Sequence, residues 1–154
     1  MASWSTFAAE APSLSASISS AIHQFGAGLG FLATVRPDGG PRVHPVAPAI
    51  VGGGLFCCLV DSPKRCDLER DPRYAFHAFP SDDSNDEAGL RGRVRTVDDP
   101  AAVRRIADAM RAAPHLEWRL YELCIDTAFY VRRGTVFGRQ TWVDPRPLAM
   151  RYAC

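Results

Sequence analysis

The segment "DSPKRC" at residues 61–66 combines several groups that could bind an anion. Lys64 is the only lysine in the chain, whereas the other 17 basic residues are all arginine. Ser62 or the preceding aspartate can begin a helix, and Pro63 fits the first helical position because its missing N–H would be unpaired there. The free amides of a first helical turn favour phosphate-like anions, and Lys64 adds a compact positive charge. The segment therefore predicts an anion site with Arg65 as a second charge; the alternative is an ordinary capped helix with a surface lysine.

The hydrophobic pattern predicts the elements that hold this segment in place. The turn signals "PDGG" and "VGGG" separate the first three strands, and Pro41, Pro45 and Pro48 restrict the second to an edge or a bulged place, because proline cannot donate to a ladder. Six strands are predicted, at about 30–36, 42–50, 54–60, 74–79, 89–98 and 120–134. Helices are predicted at 13–25, after residue 62, and in "DDPAAVRRIADAMRAAP". This order predicts a mainly β fold, a six-stranded antiparallel β-barrel with short helices.

The composition limits the classes of protein to which this chain can belong. The 154 residues, 47% of them hydrophobic, are enough for one globular domain; we expect a flexible lead-in at 1–12 and a single domain at 13–154, with no clear period in the tail at 135–154. The net charge of +1 gives no general case for nucleic-acid or membrane binding, and no apolar run reaches the ~18 residues of a membrane span. Five cysteines without a CxxC pair, together with the absence of a basic leader, indicate reduced thiols in the cytoplasm and no zinc site.

The sequence contains no motif for chemistry of its own. G-x-S-x-G, H-E-x-x-H and the P-loop pattern are all absent. No catalytic residue is therefore predicted, and this agrees with a protein whose reactive atoms belong to a bound cofactor.

Three segments in order carry a resemblance that covers roughly residues 14–133. They are "LATVRPDGGPRVHPVAP", "LFCCLVDSPKRCDLERDPRYAFHAF" and "LRGRVRTVDDP". Together they resemble the FMN-binding split-barrel family, the pyridoxamine 5′-phosphate oxidase-like proteins. The resemblance implies a homodimer with an FMN in each of two clefts at the subunit interface, and a small-molecule substrate.

The resemblance also implies site residues. Ser62 and Lys64 match positions that hold the flavin phosphate. The segment His44, Pro45, Val46 and Ala47 matches the strand that runs under the ribityl chain and the ring, and Cys57 and Cys58 match positions beside the ring. A further phosphate-binding arginine of the family falls at His44 here, and Arg42, on the same face of an ideal strand, could replace it.

The function implied is that of an FMN-dependent oxidoreductase, in which hydride passes between a small substrate and flavin N5. Two alternatives stay open. One is a deazaflavin-dependent reductase of the same fold. The other is a protein that binds flavin or haem without turnover, in which His44 and His77 would be candidate haem ligands.

Overall fold

The computed structural model describes residues 1–81, 84–133 and 137–146. Within these ranges the chain forms four helices and eight strands. In chain order they are α1 (Trp4–Glu10), α2 (Pro12–His23), β1 (Gly30–Val35), β2 (Pro41–Val46), β3 (Ala49–Val51), β4 (Gly54–Val60), α3 (Pro63–Arg70), β5 (Arg73–Ala78), β6 (Glu87–Thr96), α4 (Pro100–Met110), β7 (Trp118–Arg132) and β8 (Gly138–Val143).

The eight strands form one curled antiparallel sheet. Its order is β2-β1-β5-β6-β7-β4-β3, with β8 paired to β7 outside this path. The two end strands, β2 and β3, follow each other along the chain with only Ala47 and Pro48 between them. Since so short a link spans at most about 11 Å, the two ends of the sheet path must lie close together, and the sheet curls into a half-barrel.

Side chains alternate between the inner and outer faces of this half-barrel. One row of paired residues on the inner face runs through Leu32, Phe76, Leu90 and Ala128, all of them buried. Helix α2 adds Leu14, Ile18 and Ile22 to the same core. On the outer face, α4 covers a second, smaller cluster made of Phe56, Ile106 and Leu120. The inner face is thus the main core, and α4 leaves a large part of the outer face open.

The strand count differs from the six predicted. The predicted second strand at 42–50 is two strands, β2 and β3, since the chain turns a corner at Ala47 and the buried Pro48. Pro48 has no N–H to donate to a strand ladder, which explains the break between β2 and β3. The Pro48 carbonyl oxygen also lies so close to Gly28 that a β-carbon there would be 1.8 Å from it, so the corner is tightly packed. Strand β8 lies in the predicted tail, where nearly every residue is exposed and no hydrophobic period marks a strand.

The first twelve residues also differ from the flexible lead-in that we predicted. Helix α1 begins after Ser3, whose hydroxyl accepts a hydrogen bond from the Thr6 amide at 3.2 Å. Trp4 and Phe7 are buried in the main core, and Ala2 pairs with Ile125 of β7. Because most residues around Trp4 and Phe7 are small, the sequence shows no hydrophobic period that would predict this helix. Of the predicted tail, residues 134–136 and 147–154 lie outside the described residues.

Among the described helices the longest, α2, has 12 residues, and none has the length and apolar character needed to span a membrane.

Candidate functional site

A cleft of about 350 Å³ lies where the end of β2, the end of β4, the first turn of α3 and the end of α4 meet. Five residues predicted for the cofactor site line it: Pro45, Val46, Ala47, Cys58 and Lys64. Its other lining residues are Leu59, Val60, Met110, Arg111 and Ala112. The wall is mostly apolar, its two charged residues are both cations, and none of the described residues that line it is a carboxylate.

Helix α3 carries Lys64 to the rim of this cleft. Ser62 is the N-cap in extended conformation, Pro63 occupies the first turn, and the amides of Arg65 and Cys66 donate to the Ser62 carbonyl at 2.9 and 3.2 Å. The Ser62 hydroxyl donates instead to the Val60 carbonyl at 2.9 Å and makes no cap hydrogen bond to the helix. The first turn of α3 is therefore not capped by a side chain.

Lys64 itself is half-buried. Within the described part of the chain, the structure gives its ammonium group no ion pair and no hydrogen bond. An ammonium group in that position favours an anionic ligand, because no carboxylate of the described residues pairs with it.

The two other predicted cations, Arg42 and Arg65, are committed to ion pairs away from the cleft. Arg42 Nε donates to Asp67 at 2.7 Å, and Arg65 Nε donates to Glu69 at 3.2 Å. Burial alone would raise the pKa of Asp67, but hydrogen bonds from Arg42 and from the Thr34 hydroxyl outweigh it and lower that pKa. Neither arginine lines the cleft, so neither supplies the free second charge that the sequence suggested.

His44 lies on the inner side of β2, opposite the buried Leu32, and does not line the cleft. Its Nε2 atom is buried without a hydrogen-bond partner among the described residues. Burial lowers the pKa of His44, and the charges of Lys64 and Arg42 lower it further. The imidazole is therefore neutral at pH 7 and cannot provide the fixed charge of an arginine at this position.

Cys57 and Cys58 do not share one environment, although we predicted both beside the ring. Adjacent residues of a strand point to opposite faces, so Cys57 enters the main core while Cys58 faces the cleft. Burial raises the pKa of Cys57 to about 12 and that of Cys58 to about 11. Both thiols stay protonated at neutral pH.

Among the lining residues that sequence reasoning missed, Arg111 is the charged one. It ends α4 in the left-handed conformation, with φ of 53°, and it is the only non-glycine residue with positive φ in the described chain. Its amide donates to the Asp108 carbonyl and the Ala112 amide donates to the Ala107 carbonyl. This closing pattern usually has glycine at the left-handed position, so an arginine there gives no recognisable sequence signal.

Comparisons with known proteins support the fold. A scan against protein-family models gave no match, and neither did a search of curated proteins. Among solved structures, a haem-binding protein from Mycobacterium smegmatis has a TM-score of 0.62 at 21% identity, over 82% of this chain and 57% of that chain. A pyridoxamine 5′-phosphate oxidase-related, FMN-binding protein from Nostoc punctiforme PCC 73102 has a TM-score of 0.55 at 13% identity, over 95% and 98% of the two chains. The chain has the split-barrel fold.

A NimC/NimA family protein from Clostridium acetobutylicum shares this split barrel, with a TM-score of 0.58 at 14% identity, over 82% of this chain and 94% of that chain. All three identities lie below 25%, so the likeness is one of fold.

The split barrel places the two candidate haem ligands on opposite faces. His44 is opposite Leu32 of β1 and lies on the inner side, whereas His77 is opposite Phe31 and lies on the outer side. His77 Nδ1 also lies 2.7 Å from the Ala78 carbonyl, and its ring is tilted against that of Phe129, with the ring centroids 6.1 Å apart. The two imidazoles of one chain therefore do not face the same cleft.

Proposed function

We propose that this split barrel binds FMN in the cleft beside Lys64 and acts as a flavin-dependent oxidoreductase. The observation that carries the proposal is the half-buried Lys64, which lines the cleft and has no acidic partner among the described residues. The fold is compatible with a flavin or a haem, since the similar solved structures include an FMN-binding protein and a haem-binding protein. The lysine favours the flavin phosphate.

The residues of the cleft fit FMN in three respects. The volume of about 350 Å³ lies in the range of roughly 300–1,000 Å³ usual for small-molecule sites. Pro45, Ala47 and the partly exposed Met110 offer apolar surface suited to a planar ring. In the first turn of α3, Pro63 has no N–H and the amides of Arg65 and Cys66 donate to the Ser62 carbonyl, so the Lys64 amide is the one that can donate to a phosphate together with the Lys64 ammonium group.

FMN, when bound, supplies hydride transfer at its N5 atom. The chain would bind and orient it. Lys64 and the first turn of α3 hold the phosphate end, and the segment from Pro45 to Ala47 supports the remainder. Cys58 keeps its proton at neutral pH, because its pKa is about 11, and so acts as a weak donor or packing group rather than as a nucleophile.

The proposal includes a homodimer that forms on the open outer face of the sheet. Paired residues extend across this face in one row from Val43 through Ala33 and Ala75 to Arg91. A neighbouring row begins at Pro45 and continues through Phe31, His77, Gly89 and Phe129. Since Pro45 also lines the cleft, a second copy seated on this face would border the cofactor. An uncovered, largely apolar sheet face favours such pairing.

The absorption spectrum of the purified protein tests this proposal. We expect flavin bands that dithionite bleaches, and released FMN after denaturation. A deazaflavin spectrum would show that the cofactor is a deazaflavin and not FMN. A Soret band would show that the protein binds haem and would contradict the proposal. If the protein is colourless, the spectrum is repeated after incubation with FMN and removal of the excess; failure to retain FMN would contradict the proposal.

A further inference from the structure

We infer that Arg111 is a second ligand for the anion that Lys64 binds, so that the cleft holds a phosphate dianion between the end of α4 and the first turn of α3. The inference rests on the proposed function, because FMN supplies the phosphate. It assigns a role to a residue that lies 47 positions from Lys64 in sequence.

The first argument is charge. Lys64 and Arg111 line the same cleft of about 350 Å³, and no acidic side chain is among the described residues that line it. Several other arginines pair with a carboxylate, namely Arg36, Arg42, Arg65, Arg73 and Arg119. For Arg111 the described part of the chain gives no ion pair. Lys64 is half-buried and Arg111 is exposed, so an anion in this cleft would be attracted by both charges and repelled by no lining carboxylate of the described residues.

The second argument is the backbone. A left-handed conformation is unfavourable for a residue with a β-carbon, whereas glycine adopts it readily. Arg111 holds this position at the end of α4, where glycine is the usual residue. Within the described residues the Arg111 side chain makes no hydrogen bond or ion pair that would offset this conformation, whereas it places a guanidinium group at the cleft. Backbone strain of this kind often occurs at ligand sites.

The third argument is the helix end itself. The dipole of α4 makes its C-terminal end partly negative, although the Ala107 and Asp108 carbonyls accept hydrogen bonds from the amides of Ala112 and Arg111. This end forms one wall of the cleft and would repel an anion on its own. The Arg111 guanidinium reverses the sign of that wall. A compact ammonium on one side and a planar fork of donors on the other suit a phosphate, which carries about −1.5 to −2 charges at pH 7.

The test compares FMN with riboflavin, which lacks the phosphate, in the wild type, R111G, K64A and the double variant. We expect R111G to weaken FMN binding by at least about tenfold and to leave riboflavin binding within about twofold. Glycine suits the left-handed position, so the melting temperature of R111G should equal or exceed that of the wild type. If both residues contact one phosphate, the double variant should lose less affinity than the product of the single losses. R104A, which removes an exposed arginine of α4 outside the cleft, is the matched control and should bind FMN like the wild type.

The outcomes separate the inference from the proposed function. If K64A loses phosphate-dependent affinity while R111G does not, Arg111 is not a ligand and the proposed function stands. If R111G weakens riboflavin and FMN equally, its contact is not with the phosphate and the inference is overturned. If the wild type binds neither flavin, the proposed function fails and the inference fails with it.

Discussion

The Nε atom of Arg42 on β2 donates a hydrogen bond of 2.7 Å to the carboxylate of Asp67 on α3. The Thr34 hydroxyl of β1 donates to the same carboxylate at 2.9 Å. Asp67 is only 3% exposed. One buried carboxylate thus joins α3, which carries Lys64, to the two strands that begin the barrel, and it fixes the first turn of α3 relative to the Pro45–Ala47 wall.

We predict that Asp67→Asn lowers the free energy of unfolding by about 2 kcal/mol, because it removes the charge from a buried hydrogen-bonded pair. Urea unfolding measures the loss. The folded-state pKa of Asp67 lies below its ordinary 3.8, so its contribution is present above that value and is lost as pH falls through the folded pKa. The difference between wild type and variant should therefore shrink in acid. Asp38→Asn, at an exposed Arg36–Asp38 pair, is the control and should show no measurable change; equal effects at both positions would contradict the account.

A second prediction concerns the amino-terminal helix. Phe7 is fully buried and contacts Trp4 and Trp142, with ring centroids 5.4 and 5.0 Å away. Phe7→Ala should therefore cost about 3–5 kcal/mol in the free energy of unfolding. Phe25→Ala, at a side chain that is 50% exposed, serves as the comparison and should cost much less. A near-zero change in the free energy of unfolding for Phe7→Ala would contradict the packing of α1 and favour the flexible lead-in that the sequence suggested.

Thiol reactivity gives a third prediction. Cys66 is exposed, Cys58 is partly buried with a pKa of about 11, and Cys57 is buried with a pKa of about 12. In a C154S background at pH 8, iodoacetamide should modify Cys66 at least about tenfold faster than either of the others, because the thiolate is the reacting form. Mass spectrometry of peptides over time measures these rates. Labelling of Cys58 as fast as Cys66 would show a more reactive cleft than the structure indicates.

The resemblance implied that the segment Pro45–Ala47 and Lys64 belong to one site, and the structure brings them to one cleft. That this cleft binds a cofactor stays a prediction. The sequence could not show that Arg42 is held by Asp67, because the partners lie 25 residues apart and meet only after the barrel folds. Arg111 could not be predicted either, because the usual sequence signal for the end of a helix is a glycine and α4 ends without one. Strand β8 has too few buried side chains to show a period.

The proposed dimer gives a fourth prediction. Val43 is 59% exposed at the edge of the open outer face, so Val43→Asp should place a charge in the interface and convert the dimer to a monomer in light scattering. Leu116→Asp changes a side chain of similar exposure, 48%, in the turn between α4 and β7, and should leave the dimer intact. A monomeric wild type, or a dimeric Val43→Asp, would remove this face from the proposal.

The affinity of FMN for the wild type, Lys64→Ala and Lys64→Arg tests the central claim most directly, with riboflavin titrated in parallel. We predict that Lys64→Ala weakens FMN binding at least about tenfold, equivalent to ~1.4 kcal/mol, and leaves riboflavin binding unchanged, because the ammonium group contacts the phosphate alone. Lys64→Arg should fall between the two, since it keeps the charge and changes its shape. Equal FMN affinity in wild type and Lys64→Ala would show that the only lysine of the chain does not hold the phosphate.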